Sequence, residues 1–248
     1  MEENIKNAVK QFWNVRDGGS GVLGGKTLDG FIELMTSIII ESGLDDAQVH
    51  TGKTTSQLPG YFRPHKSWDV VVTSRGNLVA AIELKSQVGS IGNNFNNRSE
   101  EVLGSGIDLH SAIQEEAFGN DAEVFTGYLI LVEDSPDSQK KPLIGMKYFP
   151  VMHGFLSDES ARSTDYVPNA NGEYPRLEGV SYLERYDIMC KKLVLKNLYT
   201  AASLIVASSN NSGTGDYRSI SPQTGIESFF MKLESHCKLV ASHQQFSN

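Results

Sequence analysis

With 248 residues, 39% of them hydrophobic, the chain can build one continuous core, which excludes a fully disordered regulator. Its two cysteines, Cys190 and Cys237, exclude a disulfide-stapled miniprotein. A formal charge of −8 argues against indiscriminate coating of nucleic acid, but the acid is concentrated in residues 111–180 (12 acidic, 5 basic), which leaves 61–110 (5 and 5) and 181–248 (5 acidic, 7 basic) able to meet a polyanion.

No apolar run approaches the roughly 20 residues of a membrane span. No basic segment followed by an apolar stretch marks export, so the sequence reads as that of a cytoplasmic protein. In chain order, Ile5, Ala8, Val9, Phe12 and Trp13 have helical spacing that stops at the glycine-rich run from Asp17 to Gly25. That run lacks the spacing of a phosphate-binding loop and reads as a flexible connection. Leu28, Phe31, Ile32, Met35, Ile38 and Ile39 form a second helical stripe with Gly43 as its stop, and Glu33 projects nearly opposite it, toward solvent or a cleft.

Trp68 to Val72 and Leu78 to Leu84 read as the strands of a hairpin joined around Ser74-Arg75-Gly76-Asn77. Gly89 to Arg98 reads as a polar, asparagine-rich loop, and Leu103 to Phe118 as a helix interrupted at Gly104 and Gly106. Phe125 to Val132 and Ile144 to Val151 are candidate strands, and residues 157–179 form a long excursion without a convincing period. Tyr182 to Ala202 returns to helical spacing, followed by a possible strand from Ser203 to Ala207. No repeat or linker divides the chain, which predicts a single α/β domain over 1–248, a central mixed β-sheet flanked by helices.

The chemistry concentrates in the hairpin. Alternation along a strand places Glu83 and Lys85 on one face and Ile82 and Leu84 on the other, while Asp69 on the neighbouring strand can meet Glu83. Two adjacent carboxylates repel and lose hydration, penalties that a hard cation such as Mg²⁺ relieves, and a lysine beside them can orient water and offset phosphate charge. Period and composition alone also fit an ordinary salt bridge on a solvated sheet face. Arg63, His65 and Lys66 before Asp69, and the Asn/Arg segment after Lys85, strengthen the chemical reading.

Several segments together resemble the XhoI/PaeR7I family of type II restriction endonucleases, within the PD-(D/E)xK nuclease superfamily: GGKTLDGF (Gly24 to Phe31), PGYFRPHKSWD (Pro59 to Asp69), LVAAIELKSQVGS (Leu78 to Ser90), GNNFNNRSEE (Gly92 to Glu101) and YLERYDIMCKKLVLKNLY (Tyr182 to Tyr199). The resemblance implies that Asp69 and Glu83 hold Mg²⁺ and that Lys85 is the lysine of the half-motif; Glu33 matches an acidic residue on an early helix. The proline usual before the aspartate is absent, Ser67 and Trp68 standing there instead. It further implies cleavage of both strands within CTCGAG, four-nucleotide 5′ extensions with 5′-phosphates, a homodimer suited to the palindrome, and a cognate DNA methyltransferase in the same restriction-modification system. The competing classes are a noncatalytic DNA-binding protein on a degenerate nuclease fold and a junction or repair nuclease.

Asparagine suits adenine edges and arginine suits guanine edges, so Asn94, Asn97 and Arg98 are expected at the DNA. Arg185, Lys192 and Lys196 fall on one side of the Tyr182 to Ala202 helix, opposite the stripe of Leu183, Tyr186, Cys190, Leu193, Val194 and Ala201, as a candidate phosphate-contacting face. The segment Ser208 to Ser221, with Asp216, Tyr217 and Arg218, is a further candidate for base reading. The six histidines show no metal-binding spacing, and no zinc site is expected.

Overall fold

The computed structural model describes residues 1–18, 27–44, 46–120, 122–152, 154–164 and 166–246; nearly all of the glycine-rich run expected to be a loop lies outside them. In α1 (Glu2–Asp17) the five apolar residues of the stripe are all buried. In α2 (Asp29–Glu41) the buried side chains are Phe31, Leu34, Met35, Ile38 and Ile39. Gly43 follows with φ of +78°, a left-handed conformation that suits glycine just past a helix end.

Six strands lie side by side in chain order: β1 (Gln48–His50), β2 (Val70–Ser74), β3 (Asn77–Gln87), β4 (Phe125–Glu133), β5 (Ala201–Ala207) and β6 (Tyr217–Arg218). Strand β2 is antiparallel to both β1 and β3, β3, β4 and β5 run parallel, and β6 returns antiparallel on β5. Each parallel pair needs a crossover, supplied by α3 (Ile91–Gln114) before β4 and by α4 (Tyr182–Leu195) before β5. Both pack on one face of the sheet, around Tyr128, Ile130, Tyr186 and Leu204. The other face carries α1, α2 and the C-terminal α5 (Ile226–Phe246), around Phe12, Phe31, Leu129 and Phe229. Helices on both faces of a mixed sheet are the architecture that the sequence predicts. With both faces covered, β4 is buried from Phe125 through Val132. No helix among the described residues is long and apolar enough to cross a membrane.

Arg75 (φ 49°) and Gly76 (φ 79°) form the two-residue turn of the expected hairpin, its twist matched to the strands. The first strand starts only at Val70, so Trp68 and Asp69 precede it. The segment Gly89 to Arg98 is not a loop: α3 begins at Ile91, and Asn94, Asn97 and Arg98 are helical. Ile91, Val102 and Leu109 bury one face of α3, and the Phe95 ring meets Tyr186 of α4 edge-on at 5.0 Å, so packing overrides the weak helix propensity of asparagine. Gly106 is a close approach rather than an interruption, because a Cβ there would stand 2.6 Å from the Tyr199 ring.

Helix α4 ends at Leu195 instead of Ala202: Asn197 adopts φ of 55°, and Ala201 and Ala202 open β5. The expected strand Ile144 to Val151 does not form. Only Leu143–Ile144 is extended, paired with Leu177–Glu178, while Tyr148 and Phe149 stand exposed with no sheet to cover them.

Candidate active site

The last pairing between β2 and β3 is Val70 with Ile82, yet β3 continues to Gln87. Residues 83–87 therefore lack a β2 partner, and Asp69 sits at the resulting notch. Its Oδ2 accepts a hydrogen bond of 2.7 Å from the Leu84 amide. Ile82 and Leu84 enter the core beneath α1, α2 and α5, so by alternation Glu83 and Lys85 lie on the opposite side. Glu83 is only 6% exposed and meets two ammonium groups: Lys85 Nζ at Oε1 and Lys66 Nζ at Oε2, the latter at 2.5 Å. The sequence showed Lys66 as part of a basic cluster; its contact with Glu83 depends on a short ribbon, Gln57–Leu58 paired with Lys66–Ser67, that no local pattern announces.

Burial, and then the Glu83 charge, raise the Asp69 carboxyl above its ordinary range, against the opposing pull of the Leu84 amide, Lys85 and Lys66. Burial and Glu83 likewise push the Tyr199 hydroxyl upward. A cavity of about 410 Å³ opens at the notch, bounded by Asp69, Leu84 and Ser86 of the sheet region, Glu33 of α2, Thr51, and Arg98 of α3. Glu33 is exposed on α2 and faces this cavity, so the cleft alternative for that residue matches the geometry. Glu83 and Lys85 are not in the lining; they lie across β3 from it, with Asp69 as the connecting residue.

The donor set fits a hard divalent cation. Asp69 and Glu83 would offer carboxylate oxygens, and a cation would offset both the burial and the Glu83 charge that raise the Asp69 carboxyl. Among the described residues no group of three or more His, Cys, Asp or Glu gathers, so a bound cation would draw its remaining oxygens from water and substrate.

The segment that leads to Asp69 is anchored at two points. Asp108 of α3, 3% exposed, accepts hydrogen bonds of 2.7 Å from the Phe62 amide and from Arg63 Nε. Burial alone would raise the Asp108 carboxyl, but Arg63 and the Phe62 and Tyr61 amides outweigh it and hold the group below its ordinary range. Next to Asp69, the Trp68 amide donates to the Ser56 carbonyl and Ser56 Oγ donates to the Trp68 carbonyl at 2.6 Å.

The family model described as restriction endonuclease XhoI matches residues 14–219, a span that holds the notch, Asp69, Glu83, Lys66, Lys85 and Arg98. The chain belongs to the XhoI restriction endonuclease family. It is 42% identical over 203 residues to the type II restriction enzyme XhoI of Xanthomonas vasicola, covering 76% of this chain and 73% of that one. It is 36% identical over 221 residues to the type II restriction enzyme BstVI of Geobacillus stearothermophilus, covering 87% and 88%. Over 117 residues it is 50% identical to the type II restriction enzyme AbrI of Azospirillum brasilense, covering 47% and 53%. No solved structure matches. Family membership makes the protein a type II restriction endonuclease, a nuclease that binds duplex DNA.

In this XhoI family member the expected DNA-contacting residues come from α3, from α4 and its C-terminal end, and from β6. Asn94 and Arg98 are one turn apart on α3, with Asn97 exposed beside them, and Arg98 borders the Asp69 cavity while its Nη1 is paired with Glu101 at 2.6 Å. The three basic residues expected on one face of the Tyr182 to Ala202 helix have different surroundings. The Arg185 guanidinium stacks over Tyr182 at 4.8 Å with Nε and Nη2 buried and without hydrogen-bond partners; Lys192 lies 4.2 Å from the Phe155 ring; Lys196 is exposed past the helix end. Burial holds the Arg185 group below its ordinary range. Arg218 is in β6 and its Nε donates to Asp134 at 2.8 Å.

Proposed function

We propose that this endonuclease hydrolyses both strands of duplex DNA within CTCGAG, leaving four-nucleotide 5′ extensions with 5′-phosphates, and that Asp69, Glu83 and Lys85 form its Mg²⁺-dependent catalytic centre. The observation that carries the assignment is the meeting of Lys85 with Glu83, across the sheet notch from a half-buried Asp69 whose carboxyl is raised by burial and then by Glu83. The retention of all three groups favours an active enzyme over a degenerate, noncatalytic relative.

In this reading Asp69 and Glu83 would hold Mg²⁺, which would supply charge stabilisation at the phosphate. Lys85 Nζ, oriented by Glu83 Oε1, positions the attacking water beside the phosphate. Water attacks phosphorus in line and gives up one proton to solvent, the bond to the 3′ oxygen breaks, and that oxygen takes up a proton from solvent, leaving a 3′ hydroxyl and the phosphate on the 5′ end. Glu33 and Arg98, at the rim of the same cavity, frame the DNA strand being cut. Asn94 and Asn97 read bases from the first turns of α3, while Arg185, Lys192, Lys196 and Arg218 contact DNA elsewhere. Palindromic half-sites call for a C2 homodimer with one catalytic centre per strand, and the host genome would be protected by a cognate methyltransferase.

Incubation with Mg²⁺ and duplexes containing CTCGAG or a single altered base pair tests this directly. The expected result is double-strand cleavage of the first alone. Binding without cleavage would support the noncatalytic alternative, and preference for a junction or damaged duplex would support a repair nuclease. Sedimentation with uncleaved duplex in Ca²⁺ should give two protomers per site; efficient double-strand cleavage by one protomer would reject the dimer.

A further inference from the structure

Two lysines meet Glu83, and the catalytic assignment uses only Lys85. Lys66 comes from the ribbon before Asp69, where its side chain is 12% exposed. Its Nζ is 2.5 Å from Glu83 Oε2, donates to the Ser67 carbonyl at 3.1 Å, and lies 4.5 Å from the ring centroid of the buried Trp68. An ammonium this enclosed gives up much of its hydration, and Glu83 compensates it. The ribbon itself is anchored by the pairing of Lys66 with Leu58 and by the hydrogen bonds between Ser56 and Trp68. The cation is thus built into the site by the fold rather than draped over it.

Charge counting gives the consequence. Asp69 and Glu83 bring two negative charges, Lys66 and Lys85 two positive ones. Without Lys66 the group carries a net negative charge, and a DNA phosphate approaching it meets repulsion that partial burial strengthens. We propose that Lys66 is a charge-balancing, positioning residue that takes the place of the divalent cation at Glu83, so that the enzyme engages its DNA site before the cation arrives. The inference rests on the assignment of Asp69 and Glu83 as the cation-binding carboxylates. Once a cation compensates those carboxylates, Lys66 is no longer required for DNA to approach.

The test is the affinity for a CTCGAG duplex, by fluorescence anisotropy, in EDTA and in Ca²⁺, for wild type, Lys66→Met, Lys66→Arg and Glu83→Gln. Wild type should bind within a few-fold under both conditions. Lys66→Met should bind about tenfold weaker or worse in EDTA and recover in Ca²⁺, while Lys66→Arg, which keeps the charge, should follow wild type. Three outcomes overturn the proposal: wild type that binds only with Ca²⁺, Lys66→Met that matches wild type in EDTA, or a Lys66→Met defect equal in both conditions, which marks a simple phosphate contact or a damaged fold. Glu83→Gln separates this idea from its premise. Cleavage by that variant in Mg²⁺ removes the catalytic assignment, whereas a cleavage-dead Glu83→Gln alongside wild-type behaviour of Lys66→Met removes only the role of Lys66.

Discussion

Asp69 and Leu84 are joined by a side-chain to main-chain hydrogen bond of 2.7 Å at the point where strand pairing between β2 and β3 has ended. The carboxylate is held, half-buried, beside a second acid, which is favourable for capturing a cation and unfavourable for folding without one.

That conflict has a pH signature. The folded-state value of Asp69 is raised above 3.8, first by burial and then by Glu83. A raised carboxyl contributes stability that is fully present below its unfolded value and lost as pH climbs through the folded value, so at neutral pH the ionised group opposes folding. Asp69→Asn should therefore melt above wild type at pH 7 in EDTA, by about 2 to 4 °C for each kcal/mol gained, and the gap should close as pH falls toward the ordinary aspartate value. Calorimetry showing a lower melting point at pH 7 would mean that the bond to the Leu84 amide outweighs the repulsion.

Alanine at Asp69, Glu83 or Lys85 should reduce the single-turnover cleavage rate by about a hundredfold or more while leaving the circular dichroism spectrum unchanged. The two acids and the lysine should differ in cation titrations. Loss of either carboxylate should weaken Mg²⁺ binding, whereas Lys85→Ala should retain it. Near-normal cleavage by any one variant removes that residue from the catalytic centre.

Arg98 and Lys196 should separate in DNA assays. Because Arg98 borders the Asp69 cavity, Arg98→Ala should slow cleavage while preserving the ratio between CTCGAG and singly altered sites. A collapsed ratio with an unchanged rate would instead identify Arg98 as a base reader. Lys196, exposed at the end of α4, should contribute evenly to all sequences, and Lys196→Ala should lower the salt slope of binding by about one.

Removing the anchor on the loop before Asp69 should be felt both locally and at the catalytic centre. Asp108→Ala leaves the Phe62 amide and the partly exposed Arg63 without their acceptor, a loss of about 1 to 3 kcal/mol. Hydrogen exchange should rise at residues 60–63 and cleavage should fall with it; unchanged exchange there would show that the ribbon holds the segment unaided.

Local patterns carried the elements whose signals are local. The α1 stripe, the Arg75-Gly76 turn and the apolar run of β4 follow from spacing and turn chemistry, and so does the facing of Glu83 and Lys85 away from Ile82 and Leu84. The first turns of α3 were missed because Asn94 and Asn97 argue against a helix unless Phe95 has Tyr186 to pack on, a partner 91 positions away along the chain. The overlong α4 has the same origin: Ala201 continues a helical pattern equally well, and its place in β5 is decided by β4. Helix α5 carries a local signal of the same kind, because Ile226, Phe229, Phe230, Leu233 and Cys237 repeat at helical intervals. At the proposed catalytic centre Asp69, Glu83 and Lys85 follow from strand alternation and family resemblance, whereas Lys66 reaches Glu83 only through tertiary placement.

The notch has one more physical consequence. A strand that outruns its neighbour presents main-chain donors and acceptors along an open flank, the kind of surface on which other strands nucleate. Here Asp69 occupies the Leu84 amide and sets negative charge against any chain that would pair there. A preparation lacking Asp69 should therefore scatter more light on warming than wild type, and equal scattering would show that this carboxylate has no part in keeping the edge unpaired.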